Sequence, residues 1–109
     1  MKKKRLACYD EGLLAFIESR SHRLSPVTSA TYISDGRRFS KFFIEGAMRV
    51  KGQWMSTSAR GESGCVGADE VEEFLNALEM GGMAPSSVNP YRTPIEGALH
   101  FAPDCLHGC

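Results

Sequence analysis

The residues best equipped for chemistry in this chain are cations and hydroxyls, and their spacing suits holding an anion. Arg37, Arg38 and Lys41 sit with Ser34 and Asp35 on one polar face of a helical pattern. Thr28 and Thr31 lie in the first turns of the same segment, behind Ser25-Pro26. Ser86, Ser87 and Asn89 follow Pro85 at a second start of this kind, with Arg92 just beyond. A helix N-terminus presents free N–H groups and the positive end of aligned peptide dipoles to phosphate. Ser and Thr hydroxyls donate to phosphate oxygens, and each phosphate neutralised by Lys or Arg releases counterions. Every one of these residues also has a plain structural use. Arg37, Arg38 and Arg92 read equally as solvated surface charges, and Thr28 as a methyl turned inward. Ser86, Ser87 and Asn89 read as ordinary helix-start residues, Asn89 bonding locally.

Bond-making chemistry finds little support. No Gly-rich phosphate loop, His-Glu-x-x-His or Gly-x-Ser-x-Gly occurs. Tyr9, Tyr32 and Tyr91 have no surrounding basic cluster in the sequence, and Glu72 and Glu73 form no acid–base pair with a nameable partner. The expectation is a non-enzyme without cofactor. His100, Cys105, His107 and Cys109 carry metal-ligand side chains, but their spacing fits no common zinc module. No metal site is expected.

Charge divides the chain. Residues 1–51 hold 11 Lys/Arg and 5 Asp/Glu, a balance of +6, whereas residues 52–109 hold 2 and 8, a balance of −6. Such asymmetry points to nucleic acid or an anionic surface, or simply to two oppositely solvated ends. Lys2 to Arg5 read as a basic arm. They precede no apolar stretch, so no secretory leader and no membrane span is expected. The protein is accordingly expected in the cytoplasm, with its thiols reduced.

The elements that must position these groups are helices. At 109 residues and 42% apolar content the chain can bury one modest core. After a flexible basic tail (1–10), Asp10 reads as the N-cap of a first helix with Leu13, Leu14, Phe16 and Ile17 on its apolar face. Ser25 caps a second, with Pro26 at its first position, running to about Gly46. Thr28, Tyr32, Phe39 and Phe43 form its stripe, with Phe42 alongside. Gly36 is a weak point, about 1 kcal/mol worse than Ala. Residues 51–67, rich in Gly and Ser, read as one long loop, with Trp54 either a loop anchor or an exposed contact. A third helix runs from Ala68 to about Met80, with Val71, Phe74, Leu75 and Leu78 inward and Gly81-Gly82 ending it. A fourth begins at Pro85 with Val88, Ile95, Leu99 and Phe101 as candidate core. Pro90 and Pro94 each cost about 3 kcal/mol inside a helix, so this helix is expected to be kinked, shortened or restarted near Pro94. Strand signals are almost absent. The fold class is all-α, a small orthogonal bundle of four helices spanning 11–102, followed by a disordered tail (103–109).

In order along the chain stand Leu24-Ser-Pro-Val-Thr28, then Tyr32, Phe39 and Phe42-Phe43, then Ala68-Asp-Glu-Val71 leading to Phe74-Leu75, then Gly82-Met-Ala-Pro-Ser-Ser-Val-Asn89. This series resembles the SAM-like core-binding domain that precedes the catalytic domain of tyrosine recombinases, the phage-type integrases. The resemblance implies half of a clamp around double-stranded DNA, gripping with the second helix and the start of the fourth. Thr28, Thr31, Arg37, Arg38, Lys41, Ser86, Ser87, Asn89 and Arg92 would then be the contact residues. It implies that strand cutting belongs to a separate domain, and that other recombinase subunits are further partners, the acidic third helix meeting a neighbour's basic half. A helical protein-interaction domain and a non-functional truncated remnant are the competing readings. The chain departs from the family in its long central loop and in Pro90 and Pro94, where the family continues a helix with basic residues.

Overall fold

The computed structural model describes residues 3–58 and 64–103. Among them run β1 (Lys4–Arg5), α1 (Leu6–Ser19), α2 (Pro26–Glu45), β2 (Ala47–Val50), β3 (Gln53–Ser56), β4 (Cys65–Val66), α3 (Ala68–Met80) and α4 (Pro85–Phe101). The protein is mostly helical but not purely so. Two antiparallel two-stranded sheets, β1 with β4 and β2 with β3, accompany the four helices.

Helix ends follow the local chemistry. Ser25 Oγ accepts from Thr28 N–H at 3.1 Å, and Pro26 opens α2. Gly46, at φ +79°, closes α2 by donating its N–H to Phe42 O at 2.8 Å. Glu70 Oε1 accepts from Gly67 N–H at 2.8 Å at the head of α3. That is one half of a capping box; Gly67 has no side chain to supply the other.

Three expected elements change. First, α1 begins at Leu6, not at Asp10, and Arg5 is its N-cap residue. Leu6 and Tyr9 are buried, and Lys4 and Arg5 pair with Val66 and Cys65. Lys3 Nζ bonds Glu70 Oε2 at 3.2 Å, and Lys4 Nζ donates to Ala102 O at 2.8 Å. The expected flexible arm is therefore tied down from residue 3 onward; its long-range partners are invisible to local pattern. Second, α4 runs unbroken through Pro90 and Pro94. The carbonyls that lose donors belong to Ser86 and Pro90, both exposed residues whose oxygens water can serve. Val88, Ile95 and Leu99 are fully buried. At about 1.5–3 kcal/mol each, their burial is comparable with the two proline penalties together. Third, the expected 51–67 loop holds the turn and second strand of a β2–β3 hairpin, whose first strand, Ala47–Val50, precedes it. Lys51 (φ +48°) and Gly52 (φ +83°) form its two-residue turn, and positive φ at both positions matches the strand twist.

The core joins all four helices to the hairpin. Phe39, Phe42 and Phe43 of α2 meet Phe74 of α3, Tyr9 of α1 and Met48 and Val50 of β2. The inward residues expected of α3 are all buried; on α1, Leu14 is exposed. Tyr9 donates its hydroxyl to Gly36 O at 2.9 Å, and burial, with Asp10 adding to it, pushes its phenol well above the usual range. The glycine at 36 is needed for close approach, because a Cβ there would fall 2.6 Å from Leu13 Cδ1.

Among the described residues no helix is long and apolar enough to cross a membrane. Cys8 and Cys65 are both disulfide-bonded, so the expectation of reduced thiols does not hold for them; it came from an expected compartment, which says nothing of which thiols folding brings together. Cys105, His107 and Cys109 of the candidate metal tail lie outside the described residues, as does most of the 103–109 tail.

Candidate nucleic-acid interface

The outer face of α2 carries a cleft of about 500 Å³ lined by Ala30, Ile33, Ser34, Arg37, Arg38 and Lys41. A second cleft, of about 310 Å³, continues from Arg38 and Lys41 to Glu45, Ala47, Met48, Arg49 and Trp54. Arg38 and Lys41 line both, so the two form one basic surface across α2 and the hairpin.

The cations differ in their commitments. Arg37 is exposed and has no carboxylate partner among the described residues. Lys41 is also exposed and faces Glu45 at 3.8 Å, one helical turn away, a pair worth a few tenths of a kcal/mol, ~0.3–0.5. Arg38 is half-buried and bridges three elements. Its Nη1 donates to Tyr91 Oη of α4 at 3.0 Å and its Nη2 to Arg49 O of β2 at 2.7 Å. Both partners are neutral, so neither of them cancels its charge. Asp35 lies beside this group. Burial raises its carboxyl pKa, and the positive Arg38 opposes that rise.

The hydroxyls and the fourth helix are placed as follows. Thr28 Oγ1 accepts from Ser25 Oγ at 3.0 Å, so it belongs to the cap of α2. Thr31 is exposed on the next turn. Ser86, Ser87 and Asn89 are exposed at the start of α4, where Ala84 supplies no side-chain cap. Arg92 is engaged by carboxylates. Its guanidinium holds Glu72 of α3 through Nη1 at 2.6 Å and Nη2 at 3.2 Å, and Glu96 at 3.2 Å. The hydrogen bond from Arg92 pulls the Glu72 carboxyl below its usual range, and the two carboxylates push Arg92 higher still. Arg92 thus fastens α4 to α3.

The hairpin adds Arg49, to which the sequence assigns no element, and Trp54, which falls in the expected loop. Arg49 and Trp54 stand opposite each other on its outer face, the guanidinium 5.5 Å from the indole centroid. Trp54 is 68% exposed, so it is not a loop anchor. The turn residue Lys51 packs at the α3–α4 junction, where a Cβ on Gly82 would lie 3.4 Å from Lys51 Cδ. A signal was present in Met48-Arg-Val-Lys-Gly-Gln-Trp54, an alternating run around X-Gly, but Lys-Gly is a weaker turn mark than Asn-Gly. On the other side of Trp54 a cleft of about 560 Å³ is lined by Asp69, Glu72 and Glu73 together with Asn76 and Met80.

Comparison with protein-family models, with curated proteins and with solved structures finds no match to this chain.

Proposed function

We propose that this chain is a DNA-binding module of the tyrosine-recombinase core-binding type, which grips duplex DNA with the outer face of α2 and the start of α4 and leaves strand chemistry to a separate domain. The observation that carries the reading is the basic cleft along α2, where Arg37, Arg38 and Lys41 line one open groove with Glu45 the only carboxylate in ion-pair reach among the described residues. Two further points support it. The motif pieces at Ser25-Pro26, Ala68-Asp69 and Ala84-Pro85 fall at the starts of α2, α3 and α4. The exposed hydroxyls of Ser86 and Ser87 flank an α4 N-terminus without a side-chain cap. The subunit-contact reading is weaker, because Glu70 and Glu72 of the acidic helix are already engaged by Lys3 and Arg92.

Such a half-clamp binds DNA weakly and electrostatically. Amide chemical shifts recorded during titration with a mixed-sequence duplex at low salt test the reading. Perturbations are expected over residues 28–41 and 86–89, fading as salt rises. Binding that is absent, or confined to α3, overturns it.

A further inference from the structure

We propose that the β2–β3 hairpin is a third DNA-contacting element, in which Arg49 and Lys51 take backbone phosphates and the Trp54 indole lies against the duplex beside them. The inference rests on the DNA-binding reading above and extends it to a segment that reading does not use. Four observations lead to it. The hairpin is docked between the two gripping elements: Arg38 of α2 holds the Arg49 carbonyl at 2.7 Å, and Lys51 sits against Gly82, just ahead of the α4 start. The inward side chains Met48 and Val50 are buried, Val50 completely, so the hairpin is a rigid part of the core. Arg49 and the exposed Trp54 share its outer face, Lys51 is exposed at its turn, and neither cation has a carboxylate partner among the described residues. Arg49 lines the same cleft as Lys41 and Arg38, so the cationic surface of α2 continues onto the hairpin, three cations against the single carboxylate of Glu45.

Trp54 also sets the direction of approach. It stands between the basic cleft and the acidic cleft of Asp69, Glu72 and Glu73. Phosphate is attracted on the first side and repelled on the second, so the duplex lies over α2 and the turn, with the indole at its edge. An exposed aromatic beside an arginine offers a π-face and a cation to a sugar or base edge at little entropic cost.

Trp54 is the only tryptophan, so its emission reports on this segment alone. The test titrates the whole chain with a fluorescein-labelled mixed-sequence duplex and follows label anisotropy; parallel titrations with unlabelled duplex follow Trp54 emission. The chain is compared with a variant carrying Arg49→Gln and Lys51→Asn; Asn suits the positive φ of the turn. In the parent chain, Trp54 emission should change along the same isotherm as anisotropy. Losing two phosphate contacts lowers the salt slope by about 1.8. Between 50 and 200 mM salt the variant should then lose about twelvefold less affinity than the parent. Circular dichroism shows whether the variant keeps its helices; if it does not, Trp54 emission of the parent chain decides. Binding with unchanged emission, or with an unchanged salt slope in a folded variant, removes the hairpin from the interface while the α2 reading stands. An absence of binding brings down that reading and this inference with it.

Discussion

Arg37 and Arg38 are neighbours of the same type on the same helix, and the structure gives them opposite duties. Replacing each in turn by Met keeps a long unbranched side chain and removes the guanidinium. Arg38→Met deletes the bonds to Tyr91 Oη and Arg49 O, which join α2 to α4 and to the hairpin. A hydrogen bond from a charged donor contributes about 1.5–3 kcal/mol when its surroundings are dry. Here Arg49 is exposed and Tyr91 half-buried, so water recovers part of the loss. The expected cost is about 1–2 kcal/mol for the pair. In a domain of this size that lowers Tm by about 5–15 °C. The Arg37 guanidinium makes no hydrogen bond or ion pair among the described residues, so Arg37→Met should stay within about 0.5 kcal/mol of the parent. The DNA arm should discriminate the other way. Arg37→Met should lower the salt slope by about 0.9 with no change in folding, whereas Arg38→Met should combine weaker binding with faster amide exchange over residues 48–50. Thermal melts, exchange and anisotropy titrations on the two variants are sufficient. Equal Tm changes in both, or an Arg38→Met chain as stable as the parent, would refute the assignment of Arg38 as the bridge.

Three further outcomes follow from contacts elsewhere. A Cβ on Gly12 would fall 2.2 Å from Ala98 O and 2.6 Å from Ala102 Cα, where ordinary contact begins at 3.4 Å. Gly12→Ala must therefore push α1 off α4, and a net loss of about 2 kcal/mol is expected after the gain in helix propensity; a raised urea midpoint would contradict the close crossing. The Asp35 carboxyl pKa is raised above its ordinary value of 3.8, mainly by burial. The folded state therefore holds the proton more tightly than the unfolded one, and the ionised carboxylate costs stability at neutral pH. Asp35→Asn should stabilise the protein at pH 7, with the gain fading as pH falls through the raised value and gone below 3.8; urea midpoints at both pH extremes measure it, and an equal gain at both would exclude the linkage. Glu72→Gln should cost under about 1 kcal/mol, because the pair with Arg92 is half-exposed. It also frees Arg92 from its nearest carboxylate, so duplex affinity at low salt should rise; unchanged affinity in an anisotropy titration would place Arg92 outside the DNA path.

Local sequence is enough to place the helices whose ends carry local chemistry. Ser25-Pro26 and Gly46 bound α2 because a cap, an N1 proline and a left-handed glycine act within one turn of chain. The period of Val71, Phe74, Leu75 and Leu78 fixed the inner face of α3 for the same reason. The cationic face of α2 was legible too, since residues 37, 38 and 41 share a side of any helix. Tertiary structure decided what depends on partners far along the chain. Leu6 and Tyr9 start α1 early because the core and the Gly36 carbonyl, 27 residues away from Tyr9, receive them. Proline's local penalty forecast a break in α4, and burial of Val88, Ile95 and Leu99 overrode it. The hairpin was hidden because a Lys-Gly turn is a weak local mark and its strands are held by Gly81, Phe42 and Arg38. Above all, sequence cannot separate a free cation from a committed one. Arg37, Arg38 and Arg92 read alike on paper. Only the fold shows Arg38 holding the hairpin, Arg92 clasping Glu72 and Arg37 left facing solvent.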